Sequence, residues 1–482
     1  MQLATLIQPL QPLATQGSMS VAIECITFDS RQVQPNTLYV AQKGTTTDGH
    51  LYIDAAIANG AIAIVVEYMP AHIIDDISYI VVKSTTVALG ILADVFYQSP
   101  SKNLTVIGIT GTNGKTTVAT LLYQLAIKLG YKAALLSTIE NKINNETYTA
   151  THTTPDAISL QRYFLEMIKN DCQFCFMEVS SHALDQGRVV GVHFSGAGFT
   201  NITHDHLDYH GTFDAYINAK KKLFDGLSKT AFAVSNKDDK RGAVMLQNCK
   251  ANKIMYAIHT TADHTACIIE NTFEGLMLRV DAIEMHSALV GEFNAYNLLL
   301  VYAIAIELGW EQLSVLTAMS ALQPAKGRFQ FVKSTDNILA VVDYAHTPDA
   351  LQKIIITLNQ IRTKNEKLIT VLGCGGDRDK LKRPEMGRIA ALGADKVVLT
   401  SDNPRTEDPH TILEEINGGI DLGLRRKVTI IEDRKQAIHA ACSMASAGDI
   451  ILIAGKGHET YQEVRGIKHP FDDFKIVTER LN

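Results

Sequence analysis

Short apolar runs and amphipathic stretches alternate along almost the whole chain. TLYVA (37–41), AIAIVVE (61–67) and YIVVK (79–83) read as strands, while 51–60 and 85–97 carry helical spacing. Gly60 closes the first of these helices, and the polar, proline-containing QSPSKN (98–103) follows the second. An apolar run at 104–109 then leads through a glycine-rich turn into an amphipathic stretch at 118–129 that stops at Gly130. AALLST (133–138) and the run 174–179 are further strands, with a helix over 157–169 between them. The helix in GEFNAYNLLLVYAIAIELG (291–309) ends at Gly309, before the loop ALQPAKGRFQ (321–330). Beyond it, strands near 338–343, 367–373, 396–400, 427–431 and 449–454 alternate with helices. Strand–helix alternation predicts mostly parallel sheets covered on both faces, an α/β chain.

Length sharpens this picture. At 482 residues the chain is too long for one core. The expected division is a smaller N-terminal α/β domain (1–98), a central P-loop NTPase-like domain (99–327) and a C-terminal Rossmann-like domain (328–482). A formal charge of −6 argues against a nucleic-acid surface, which needs a basic stripe. No apolar stretch approaches the roughly 18 residues of a membrane span. No Lys or Arg precedes Arg31, so the charged start of a secretory signal is missing. Seven scattered cysteines fit reduced thiols in a cytoplasm. Cys172 and Cys175 have C-x-x-C spacing, but no second pair follows and QFCFMEVSS reads as a buried strand, so both are expected to be core thiols.

The candidate chemistry begins at TGTNGKTT (110–117), placed between a strand and a helix. That is the arrangement of a phosphate-binding loop: the backbone of Gly111, Thr112, Asn113 and Gly114 and the helix start at Thr117 wrap phosphates. Lys115 reaches the β/γ oxygens, and the Thr116 hydroxyl can ligate Mg²⁺. The strict G-x-x-x-x-G-K-S/T pattern fails, because position 109 is Ile and the glycine stands at 108. Glu178, at the end of the strand in EVSSH (178–182), is a candidate metal ligand. TNITHDHLDYHG (200–211) offers His206 as another. YINAKKKLF (216–224) follows with three adjacent lysines, and charge spacing selects none of them. In the last unit, DYAHTPD (343–349), GCGGDRD (373–379), SDNPR (401–405) and GKGHE (455–459) occupy the carboxyl ends of successive strands, where open α/β sheets bind ligands.

These motifs, with KGRF and GEFNAYN, occur in the order found in the Mur ligases, and the chain resembles that family from about residue 28 to 475. It is most similar to the members that add the third amino acid. The resemblance makes Ile109 expected, since the family's ATP loop is TGTNGKT. It implies that Lys220 is carbamylated by CO₂ and holds Mg²⁺ together with Thr116, Glu178 and His206. It further implies adenine contacts from Asn294 and Asn297, and closure of the third domain over ATP through Arg328, Asp343 and His346. A nucleotide-sugar site is implied at Phe28, Ser30, Thr45 and Thr46 of the N-terminal domain and at His152, Thr153, Thr154, Ser180, Gln186 and Arg188 of the central one. Two departures stand out: GTTTDG (44–49) replaces the usual GHQxDG, and His152 stands where Asn commonly precedes the Thr pair.

The family's mark of diaminopimelate-adding members is DNPR, here Asp402, Asn403, Pro404 and Arg405. Arg405 offers a planar fork to the distal carboxylate of meso-diaminopimelate, Glu459 beside Gly455 takes its distal ammonium, and Arg378 holds the other carboxylate. The implied reaction is ATP-dependent: the D-Glu carboxylate of UDP-MurNAc-L-Ala-D-Glu becomes an acyl phosphate, and the diaminopimelate amine displaces phosphate to form an amide. A cytoplasmic monomer is expected. The alternatives are a lysine-adding muramyl ligase, a folate-polyglutamate ligase, a P-loop phosphotransferase and a nucleotide-dependent binding protein.

Overall fold

The computed structural model describes residues 1–44, 47–150, 152–363 and 365–482. Three sheets follow one another along the chain, with a small hairpin near its end. In the first sheet Cys25–Thr27, Thr37–Val40, Ala61–Val66 and Ser78–Val81 run parallel, and Ala14–Gln16 adds an antiparallel edge. Leu38, Val40, Val65 and Ile80 pack on one face against Leu89 and Leu92 of the helix Thr85–Phe96. Tyr39, Ile64 and Tyr79 fill the other face. The strands Ala14–Gln16 and Cys25–Thr27 and the helix Leu3–Ile7 are too short to show a period, so the hydrophobic pattern did not announce them.

The central sheet places Thr105–Thr110 between Gly196–Phe199 and Phe174–Glu178, all parallel. Ala133–Leu136 continues it on one side, and Phe232–Asn236 and Asn252–Ala257 on the other. Its central strands are largely apolar because helices cover both faces. Lys115–Lys128 and Glu292–Glu307 pack over Ile107, Ile109 and Val234. Ala157–Lys169 and Phe213–Asp225 cover Val106, Cys175 and Met177. Ile109 is fully buried in this core, which is why an apolar residue stands where the strict phosphate-loop pattern has glycine.

Antiparallel additions at each edge were not foreseen. One is the hairpin Glu140–Ile143/Glu146–Thr149. The other is the meander His264–Thr272, Gly275–Val280 and Ile283–Ser287. The turn inside that meander puts Asp281 and Ala282 at φ 40° and 72° with no glycine to signal it.

The third sheet runs Val428–Ile430, Lys396–Leu399, Leu368–Leu372, Ile450–Ala454 and Leu339–Asp343 in parallel, with Gln330–Lys333 antiparallel at the edge. The predicted strands all form, and the four polar loops do sit at their carboxyl ends. The hairpin Tyr461–Val464/Ile467–Pro470 lies outside this sheet. Among the described residues, all seven cysteines are free. No helix there is long and apolar enough to cross a membrane.

Candidate active site

The phosphate loop is stitched to the segment after Phe199. Asn201 O accepts from Thr112 N at 2.8 Å, and Asn201 Oδ1 accepts from Asn113 N at 3.1 Å. Thr200 donates its hydroxyl to Asn113 O at 2.6 Å. The contact is close enough that a Cβ at Gly111 would stand 1.9 Å from Thr200 Oγ1, so position 111 requires glycine. Gly114, at φ 88°, would meet Asn297 Oδ1 at 2.5 Å. Asn297 in turn donates to Asn294 Oδ1 at 3.0 Å, and Asn294 to Val290 O at 2.8 Å. These two asparagines thus buttress the loop from the start of Glu292–Glu307.

Two ammonium groups converge on one carbonyl. Lys115 Nζ donates to Gly111 O and Thr112 O, both at 2.9 Å, and Lys220 Nζ donates to Gly111 O at 2.7 Å. Burial lowers the pKa of Lys220 well below the ordinary amine range, and the Lys115 charge adds to the effect. Lys221 instead pairs with Asp225 and Lys222 with Asp185, so the fold singles out one lysine of the three. Lys220 lies 4.6 Å from the centre of the Tyr216 ring, whose hydroxyl bonds Thr112 at 3.0 Å.

Glu178 is buried and accepts from Thr138 N at 2.7 Å. His206 takes a left-handed φ of 54° and lies 3.4 Å from the Asp205 carboxylate, its ring edge-on to His182. Burial pushes the His206 imidazole down to about 3 despite Asp205, leaving it neutral and able to ligate. Among the described residues, no three His, Cys, Asp or Glu side chains close into a metal cage. Magnesium beside a nucleotide needs only one or two carboxylates plus phosphate oxygens, so this donor set still suits it.

The third unit docks directly on this loop. Arg328 donates to Thr116 Oγ1 at 3.1 Å and stacks 4.6 Å over the Tyr344 ring. Asp349 accepts from Asn113 Nδ2 at 2.9 Å and from Thr203 at 3.4 Å. Asp343 is buried and accepts from Phe329 N at 2.6 Å, fixing the KGRF turn that carries Arg328. Burial pushes its carboxyl up to about 6, against Arg328. His346 is pushed down to about 4 by burial, with Lys382 adding to the effect. Thr200, Asn201, Tyr216 and Asp349 were missed, although Thr200 and Asn201 open the histidine-rich motif and Asp349 ends DYAHTPD.

Between the first and central units lies a cavity of ≈ 240 Å³. Phe28, His152, Gln186 and Arg188 line it, joined by Gln42, Thr86 and Asp156, which motif reading did not single out. Arg188 is braced by Thr154 O at 3.0 Å and by Gln186 Oε1. Ser30, Thr153, Thr154 and Ser180 do not line the cavity. The Thr154 hydroxyl is spent on Glu178 O and Ser180 N, and Ser180 caps the helix Ser181–Asp185. Thr153 accepts from the Thr138 hydroxyl at 3.0 Å, and Asn59 donates to Ser30 O. Thr45 and Thr46 lie outside the described residues.

At the strand ends of the third sheet, Arg405 and Arg378 both flank Gly375, 3.0 and 3.9 Å from where a Cβ would stand. Gly376 permits the GCGGDRD and DNPR loops to touch, since a Cβ there would lie 2.0 Å from Pro404 O. Arg405 Nη1 donates to Gly376 O at 2.7 Å. Arg378 is exposed and donates to Asp377 O. Glu459 Oε2 accepts from Asn403 at 2.8 Å and from the fully buried Lys456 at 3.0 Å. The Asp402 carboxylate lies 3.9 Å from the same ammonium, and a Cβ at Gly455 would crowd it at 2.7 Å. Lys456 was not anticipated, nor was Arg383, whose buried guanidinium joins Gly375 O to Glu407 and Glu415.

Comparison with known proteins agrees with this geometry. Three family models match in succession: the catalytic domain of the Mur ligase family (residues 22–97), the Mur ligase middle domain (109–305) and the Mur ligase glutamate ligase domain (327–457). A UDP-N-acetylmuramoyl-L-alanyl-D-glutamate–2,6-diaminopimelate ligase of Cytophaga hutchinsonii is 50% identical over 100% of this chain and 99% of its own. Its counterpart in Bacteroides fragilis is 45% identical, covering 99% of each chain. A solved structure of a ligase with that description is 33% identical with a TM-score of 0.70, covering 98% of both chains. The MurF ligase of Thermotoga maritima in complex with ADP shares the fold at 18% identity and a TM-score of 0.63, over 95% of this chain and 97% of its own. From the phosphate loop to the strand-end loops, the chain belongs to the Mur ligase family.

Proposed function

We propose that this chain uses ATP to join meso-2,6-diaminopimelate to the D-Glu carboxylate of UDP-MurNAc-L-Ala-D-Glu, a step of peptidoglycan precursor synthesis. The observation that carries the proposal is the docking of the third unit, which presents Arg405 and Glu459, onto the phosphate loop through Arg328 and Asp349. The cavity at Phe28, His152, Gln186 and Arg188 is assigned to the nucleotide sugar, and domains are drawn at 1–98, 99–327 and 328–482. All of these groups come from one chain, so a monomer suffices, and its free thiols suit the cytoplasm.

The D-Glu carboxylate attacks the γ-phosphorus of ATP, giving an acyl phosphate and ADP. The diaminopimelate amine then attacks the acyl carbon, and the tetrahedral intermediate expels phosphate. Lys115 leaves its loop carbonyls to pair with the phosphates, and Arg328 stands beside Thr116 to offset charge on the transferred group. Glu178, His206 and Thr116 would hold Mg²⁺, which lowers the repulsion between carboxylate and phosphate. Lys220 is assigned as the carbamylated residue. Its neutral amine adds to CO₂ and releases a proton, turning the cation that crowds Gly111 O into a carboxylate. Arg405 would take the distal carboxylate of the amino acid, with Arg378 on its other carboxylate and Glu459 on the distal ammonium.

The test is phosphate release at saturating ATP and nucleotide sugar with meso-diaminopimelate, lysine or glutamate. Release should require both the dipeptide nucleotide and diaminopimelate, with lysine poorer by roughly 10⁴-fold because it leaves the free end of the Arg405 fork without its carboxylate. ATP turnover indifferent to the amino acid would sink the ligase reading.

A further inference from the structure

The hairpin Tyr461–Val464/Ile467–Pro470 grips the DNPR loop residue by residue. Gln462 Nε2 donates to Asp402 O at 2.7 Å, and Glu463 N donates to Asn403 Oδ1 at 2.9 Å. Arg405 is held on both sides of its backbone: its N–H donates to Glu463 O at 3.1 Å, and its carbonyl accepts from Arg465 N at 2.7 Å. These bonds hold Arg405 at φ 51°, a left-handed conformation that a long side chain adopts only under constraint. The side chain is gripped as well. Arg405 Nε lies 3.4 Å from Glu463 Oε2, while Nη1 donates to Gly376 O at 2.7 Å. Among the described residues, Nη2 has no hydrogen-bond partner.

A guanidinium can present two faces to a carboxylate, the Nε–Nη2 side or the Nη1–Nη2 end. Glu463 already lies on the Nε side. It turns the free end of the fork outward and repels any carboxylate that approaches along the side. We propose that Glu463 is a specificity-determining positioning residue, which makes Arg405 accept the distal carboxylate of the amino-acid substrate end-on. The inference rests on the reading of DNPR as the amino-acid grip. Glu463 itself touches no substrate. Its carboxylate also keeps Arg405 partly compensated when no amino acid is bound, so the loop keeps its shape between turnovers.

Steady-state kinetics of the full-length enzyme separate the possibilities, with ATP, nucleotide sugar and diaminopimelate varied in turn. Glu463→Ala should raise the KM for diaminopimelate on the order of tenfold, the worth of one charge-assisted contact, and leave kcat and the KM for ATP near wild type. Glu463→Gln keeps the length and packing of the side chain but not its charge, and should recover only part of that loss. It also serves if the alanine variant folds poorly. A diaminopimelate KM within twofold of wild type in Glu463→Ala, or equal rises for diaminopimelate and ATP, would overturn the proposal. Arg405→Ala is the control for the underlying reading. If it fails to move the diaminopimelate KM, the DNPR assignment itself falls. If it moves that KM and Glu463→Ala does not, only the role of Glu463 is lost.

Discussion

At the scale of single residues, Lys220 shows how the fold assigns chemistry that composition leaves ambiguous. Its neighbours in YINAKKKLF both find carboxylates, Asp225 on the same helix and Asp185 on the helix Ser181–Asp185, while Lys220 turns to Gly111 O. Two amines that share one buried acceptor are an expensive arrangement if both stay charged, because they repel at close range and the Asp205 and Glu178 carboxylates only partly offset that repulsion. In the function proposed above, conversion to a carbamate would remove the conflict and supply an acidic group near His206. Lys220→Ala should therefore cut turnover by roughly 10³-fold, the scale of losing a group that offsets transferring charge. A small carboxylic acid added to that variant should restore part of the rate. Absence of rescue in a variant with an unchanged circular-dichroism spectrum would count against the carbamate. The helical period of the sequence places Lys220 on the buried face only once the position of the phosphate loop is known.

Among the elements, those with long, uniform apolar runs were legible in advance and those that depend on partners were not. Thr105–Thr110, Phe174–Glu178 and Ile450–Ala454 are buried on both faces, so sequence and burial coincide. The meander at 264–287 has one face in water and one of its turns, at Asp281–Ala282, lacks glycine, and the hairpin at 461–470 is only partly buried, so neither stands out. The final helix, Asp473–Leu481, is tied down by a contact no periodicity shows. Arg434 donates through Nε and Nη2 to the Asp473 carboxylate, both at 2.8 Å, with both side chains fully buried. Nη2 also donates to Ala454 O at 3.0 Å, directly below the GKGHE loop. Asp473→Ala leaves a buried guanidinium without its counterion and should cost about 3–5 kcal/mol, read as a lower urea midpoint. A shift below about 1 kcal/mol would mean that water reaches Arg434.

For the whole molecule, the junction between the central and third units gathers one buried and three half-buried titrating groups, and their signs decide how stability follows pH. Burial pushes His206, His346 and His458 down to about 3, 4 and 3, from an ordinary value of 6.5. The unfolded chain therefore binds more protons in that window, so their contribution is present above about pH 6.5 and lost as pH falls. Asp343 acts oppositely. Its carboxyl, pushed up from 3.8 to about 6, contributes stability that is lost as pH rises through 6, so below pH 6 it offsets one histidine. Three imidazoles against one carboxyl leave a net loss; the His206 side chain is 40% exposed, so its share is screened, and the loss is on the order of 2–3 kcal/mol between pH 7 and pH 5. Urea denaturation at the two pH values should show it, and His458→Gln should flatten the slope by about half. A midpoint that does not move would mean that the rings are hydrated in solution.

The sequence by itself determined the strand–helix order, the phosphate loop with its buried Ile109, and the motif set that marks a Mur ligase. Each of these is written in contiguous residues, where spacing and hydrophobicity are enough. Only the tertiary structure decided which lysine meets Gly111, that Asp349 and Arg328 reach the loop across a gap of more than two hundred residues, and that Glu463 stands behind Arg405. Those contacts join segments remote in the chain, and their energies depend on burial and approach, which exist only after the sheets have packed.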